Sequence, residues 1–163
     1  RITMQPTIKY RDETTAMGMV ARFKSTLNSD SDNLTVIPAL WQEFKTNLKT
    51  IPDGLQAQKV AIMNCSDKDG LSNKMEYLAG ILVEGFEELP NGFVQRTIPS
   101  GEYAEFTHRG HMKNIEHTIN YIYGSWLPKS GLERNAGPDV GIYPKDFDPN
   151  SSESEMKLLI PLK

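Results

Sequence analysis

The chain has a single cysteine, Cys65, so no internal disulfide can form. One thiol and seven methionines point to a reducing compartment, and the cytoplasm is the expected location. No apolar run approaches the ~20 residues of a membrane-spanning helix. The longest, around "YLAGILVEGF", is interrupted by glycine and closed by acids. No charged-then-apolar signal layout opens the sequence, and the three residues ahead of Met4 read as an addition or an upstream remnant. There is no basic excess either. The net charge is −3, with no long run of either sign, which argues against direct nucleic-acid binding because phosphate contacts supply most of such affinity. A role in transcription would need a separate DNA-reading partner.

The sequence is also poor in the residues of metal and nucleophile chemistry. Of its three histidines, His108 and His111 lie close together in "HRGH", but the second follows a glycine turn and no other ligand type joins them. Cys65 sits in a strand with no histidine partner in view and reads as a buried, inert thiol. No "GxSxG" elbow occurs. The expectation is therefore no metal, no cofactor and no catalytic residue.

What is present is an order of elements that occurs twice. "TIKYRDETTAMGMVARF" reads as a strand with an irregular middle, and "VIPALWQEFKTNLKTI" as a helix with Pro38 in its first turn. Leu40, Phe44, Leu48 and Ile51 recur at helical spacing, Trp41 lies on the edge of that stripe, and "PDG" ends the helix. "KVAIMNCS" and "MEYLAGILVEG" read as a hairpin. After the linker "EELPNG", the stretch "GFVQRTIPSGEYAEFTHRG" is extended with a break at "PSG". Ile115, Ile119, Ile122 and Trp126 then mark a helix that Pro128 stops, and "DVGIY" and "EMKLLIPL" supply two last strands. Each half runs strand, helix, strand, strand, and each helix carries a tryptophan.

The expected fold is thus α+β. Residues 1–163 form one domain of two β-α-β-β pseudo-repeats, about 7–84 and 93–163. They join into one antiparallel sheet with both helices on one face and a groove between them. Such seams favour pockets. Trp41, Phe44, Tyr77, Phe106, Tyr123, Trp126 and Tyr143 are the candidate aromatic walls. Tyr103 and Phe106 have opposite strand parity and should not share a face. Glu105 is the candidate pocket acid because it interrupts an apolar strand, with Glu76, Glu84 and Glu133 behind it.

"IPALWQEF", "EELPNGFVQRTIPSGEYAEFTHRG", "IYGSWLPKSG", "PDVGIYPKDFDP" and "ESEMKLLIPLK" resemble, in that order, the gyrase-inhibitor-like effector-binding domains. These occur fused to AraC-type and MerR-type regulators and as stand-alone proteins. The nearest likeness is to the integron cassette-encoded ones described as cationic drug-binding modules, and it covers roughly Thr7 to Lys163. The resemblance implies binding of hydrophobic, often cationic, compounds between aromatic walls, with a buried carboxylate. It also implies that many relatives carry a glutamate where this chain has Gly141. No DNA-reading motif is left over, so a free-standing binder, monomeric or homodimeric, is expected. Two other classes stay open: a small hydrolase using the same cleft, which some proteins similar to the family are, and a protein-interaction module.

Overall fold

The computed structural model describes residues 4–24, 33–65, 74–84 and 88–163. The strands are β1 (Thr7–Arg11), β2 (Thr14–Lys24), β3 (Lys59–Cys65), β4 (Lys74–Val83), β5 (Val94–Ile98), β6 (Gly101–Arg109), β7 (Asp139–Tyr143) and β8 (Glu155–Leu162). They form one antiparallel sheet in the order β1-β6-β8-β7-β3-β4-β2-β5. Exchange β1 with β5, β2 with β6, β3 with β7 and β4 with β8, and that order reads the same from the other end. The pseudo-twofold passes between β3 and β7, where Ala61 pairs with Gly141. An ion pair repeats with it: Arg22–Glu76 at 3.1 Å and Arg109–Glu155 at 3.6 Å each join directly opposed residues on equivalent strands.

The first strand of each expected unit is in fact two. Asp12–Glu13 and Pro99–Ser100 are corners that carry the chain from one end of the sheet to the other. β5 and β6 stand six places apart, which in a flat sheet is about 29 Å at ~4.8 Å per strand. From Ile98 to Gly101 the chain reaches at most ~11 Å. The sheet must therefore curl until its ends meet. Arg11–Gly101 and Thr14–Ile98, paired on either side of the corner, are the result. Gly101 has φ 146°, backbone that only glycine adopts readily.

Curling gives the sheet two cores. On the inner face Val60, Ile62, Leu78, Tyr103, Val140 and Leu159 are buried with no helical residue among them. The other face carries the helices. Leu40, Phe44 and Leu48 of α1 (Asn33–Leu48) pack there with Ile122 from the second helical segment and with Ala61, Tyr77, Phe106, Tyr143 and Leu158. Tyr103 and Phe106 fall on opposite faces, as their parity predicts.

Two proline expectations shift. α1 begins five residues before Pro38, so Pro38 removes one backbone hydrogen bond inside the helix instead of sitting in its first turn. Pro128 does not stop the second helix. α2 (Ile115–Tyr121), a π-helical turn (Ile122–Trp126) and α3 (Leu127–Ser130) run end to end. In the wide turn the Leu127 N–H reaches back to the Ile122 carbonyl, so the ladder is already loosened where proline brings no donor. Gly131, at φ 76°, ends the run instead. Among the described residues, no helix is long and apolar enough to cross a membrane.

Candidate functional site

The floor of the seam between the helices is the Ala61–Gly141 pair. A Cβ on Gly141 would stand 3.1 Å from Met156 Cε, 3.4 Å from Tyr143 Oη and 3.6 Å from Ala61 Cβ. The position above the glycine is thus already crowded by a thioether methyl, a phenol and a small side chain.

From the α1 side, half-buried Trp41 meets Tyr143 edge-on, with ring centres 5.5 Å apart, and Phe44 in the same way at 5.8 Å. Its indole Nε1 donates to Tyr77 Oη at 2.8 Å, and Tyr77 Oη lies 3.5 Å from Tyr143 Oη. Phe147 continues the row, 4.9 Å from the Tyr143 ring. Burial raises the pKa of both phenols, so both stay protonated at neutral pH. From the other helix, half-buried Trp126 lies edge-on over fully buried Phe106 at 5.0 Å. The two tryptophans occupy the helical segments that the pseudo-twofold relates.

Tyr123 is engaged differently. Its hydroxyl donates to Asp139 Oδ2 at 2.5 Å and accepts from Arg134 Nε at 3.0 Å, while Arg134 Nη2 donates to Asp139 Oδ1 at 2.7 Å. Burial, then the Asp139 charge, raises the Tyr123 pKa well above that of a free phenol. The triad ties the segment after Gly131 to strand β7 and leaves Asp139 already neutralised by a guanidinium.

The structure therefore brings seven of the eight expected residues to the helix side. Trp41, Phe44, Tyr77 and Tyr143 form one cluster, Phe106 and Trp126 a second, and Tyr123 stands beside Asp139. Glu105 does not join them. It is 6% exposed, but strand alternation turns it to the face away from the helices, with Tyr103 and Leu159. There it accepts from Arg11 Nη2 at 2.6 Å and Lys157 Nζ at 3.1 Å, with Lys9 Nζ at 3.6 Å. Burial would raise its pKa, but the bonds from Arg11 and Lys157 and the neighbouring charges hold it below the ordinary value. An acid interrupting an apolar strand signals burial and says nothing about which face is buried.

The other acids fare similarly. Glu76 pairs with Arg22 and Arg96 on the face away from Tyr77, and exposed Glu133 pairs with Lys163. Asp139 is an acid that the strand turns to the helix side, and its signal was parity: Asp139, Gly141 and Tyr143 alternate along "DVGIY". The histidine pair has a structural account. Buried His108 meets Thr118 Oγ1 at 2.7 Å and the His111 carbonyl at 3.1 Å. A carbonyl only accepts, so Nε2 donates to it. Among the described residues, no three of His, Cys, Asp and Glu cluster as a metal site.

The sequence model described as "Integron-associated effector binding protein" (Cass2) matches residues 7–162. The transcriptional regulator BrlR of Pseudomonas aeruginosa is 32% identical over 130 residues, which are 77% of this chain and 46% of BrlR. The chain thus spans about half the length of the curated relative it matches. Among solved structures, SAV2435 bound to tetraphenylphosphonium superposes with a TM-score of 0.74 at 16% identity, covering 98% of this chain and 94% of that one. The Vibrio cholerae integron cassette protein VCH_CASS2 gives 0.66 at 18%, covering 98% and 97%. A hydrolase from Listeria innocua gives 0.59 at 10%, covering 98% and 92%. At these identities the structural matches establish the shared curled-sheet fold.

Proposed function

Because the chain belongs to the integron-associated effector binding protein family, we propose that it binds hydrophobic aromatic small molecules in the seam between α1 and the second helix. Occupancy of the seam serves to sense or sequester the compound. The observation that carries this reading is the row Trp41–Tyr77–Tyr143–Phe147 beside a glycine floor. A row of rings ending in half-exposed Trp41 offers faces and edges to a flat ligand. The expected ligands include bulky hydrophobic cations such as the tetraphenylphosphonium held by SAV2435. The match to a transcriptional regulator over less than half its length supports a role in which a DNA-reading partner reports occupancy. The acidic balance of this chain leaves the DNA contact to that partner.

The test is a thermal-shift and tryptophan-fluorescence screen with tetraphenylphosphonium and neutral aromatics. A ligand at a hundred times its Kd stabilises the fold by about 2.7 kcal/mol, a readily visible shift in Tm. No shift and no change in Trp41 or Trp126 emission across the panel would sink the proposal. The likeness to the Listeria hydrolase gives the competing reading. Recovery of each bound compound intact after prolonged incubation, checked by mass spectrometry, favours binding. A cleaved product favours hydrolysis.

A further inference from the structure

The hydroxyls of Tyr77 and Tyr143 do not balance. Tyr77 Oη accepts from Trp41 Nε1, so its own proton is free to be given away. The partner in reach is Tyr143 Oη at 3.5 Å, and that contact can use only one of the two phenolic protons. If Tyr77 donates, the Tyr143 proton is left over; if Tyr143 donates, the Tyr77 proton is. In either case one O–H donor has no acceptor among the described residues. Both side chains are deeply buried, Tyr77 at 4% and Tyr143 at 8% exposed. A buried donor without an acceptor is costly. Tyr143 Oη lies at the seam floor, 3.4 Å from where a Cβ of Gly141 would stand.

From this imbalance, and resting on the reading of the seam as a ligand site, we infer the ligand's polar handle. The seam takes an aromatic compound that presents a hydrogen-bond acceptor, such as a carbonyl, an oxide or a ring nitrogen, to the Tyr77–Tyr143 pair. A full positive charge is not the feature recognised. An acceptor completes the phenol pair, whereas a cation set at the same spot faces a donor. Neither of the carboxylates Asp139 and Glu105 offsets that: Asp139 is committed to Arg134 and Tyr123, and Glu105 faces the other way.

Two probes of similar bulk separate these possibilities. Tetraphenylphosphonium is a cation with four phenyl rings, and triphenylphosphine oxide replaces one ring with a strong neutral acceptor. Calorimetric titration should show the oxide binding at least ~tenfold more tightly, the effect of one buried hydrogen bond. Tyr143→Phe should remove that preference and leave the affinity for the cation within about twofold. Tyr77→Phe removes one of the two protons and leaves the Tyr143 proton without an acceptor, so the preference for the oxide should persist. If the cation binds as tightly as the oxide or more so, the seam remains a ligand site and the acceptor inference fails. A preference for the oxide that survives Tyr143→Phe also overturns it. If neither probe binds, the seam reading fails and takes the inference with it.

Discussion

Two buried polar groups stand on opposite faces of the same sheet and have been resolved in opposite ways. On the face away from the helices, Glu105 has three cations around it and direct bonds to two, so its charge is fully answered within the protein. On the helix face, Tyr77 and Tyr143 share one contact between two protons and leave one unanswered. The first arrangement holds the edge strand β1 to β6 and β8, since its cations come from β1 and β8. The second is the arrangement that the proposed ligand acceptor would complete. Burial of a polar group alone does not separate the two cases. The Glu105 carboxylate is answered, although Arg11 Nε beside it is buried without a partner among the described residues. The phenol pair keeps one proton unanswered.

The largest effect that would sharpen this contrast comes from the satisfied site. Glu105→Gln leaves Arg11 and Lys157 without their counter-charge. It should cost about 1–3 kcal/mol in urea unfolding, below the figure for a wholly buried pair because the lysines are half exposed. The folded variant should still bind aromatic ligands with parental affinity. A variant of normal stability with lost binding would reverse the roles assigned to the two faces. Next in size is Trp41→Ala, which removes an edge-on wall and the donor to Tyr77. It should weaken an aromatic ligand about tenfold, read by calorimetry. Trp126→Ala should do the same if the second wall is used, and unchanged affinity would confine the site to the α1 side.

A pH series tests Glu105 separately. Its folded pKa lies below the ordinary 4.5, so the folded state holds fewer protons than the unfolded state in the window beneath that value. Its contribution to stability is complete above about pH 4.5 and is lost as pH falls through the depressed folded pKa. Glu105→Gln should therefore flatten the acid limb of the stability curve. A limb of unchanged slope would mean the carboxylate is not held as described. The smallest expected change is Gly141→Ala. The added methyl meets the mobile end of Met156 at 3.1 Å, and the Tm should move by no more than a few degrees. Gly141→Glu is the informative extension, because a carboxylate at the floor should turn selectivity toward tetraphenylphosphonium.

The order of elements was legible because it rests on local signals. Helical spacing from Leu40 to Leu48 and alternation in "DVGIY" act within a few residues. The corners at 12–13 and 99–100 were visible only as irregularities. That they move the chain across the sheet follows from pairings between residues far apart in sequence, such as Thr7 with Glu105, which no short window contains. That the candidate rings share the helix side was legible from helical spacing and strand parity. The acid was not: Glu105 and Asp139 differ in which face they occupy and in what neutralises them. The proton count at Tyr77 and Tyr143 depended on three side chains from three elements meeting, and no spacing encodes that.

The exchange of edge strands between the halves sets an order of assembly. Among the described strands β1 is made before the partner it pairs with, β6, and β2 waits for β5 to cover its outer edge. Until residues beyond about 109 have been made, the amino-terminal half carries an incomplete sheet whose inner face has nothing to curl against. Such long-range closure places the chain among slow-folding topologies, on the order of milliseconds to seconds. The vulnerable species during synthesis is therefore the first half with its β2 edge exposed.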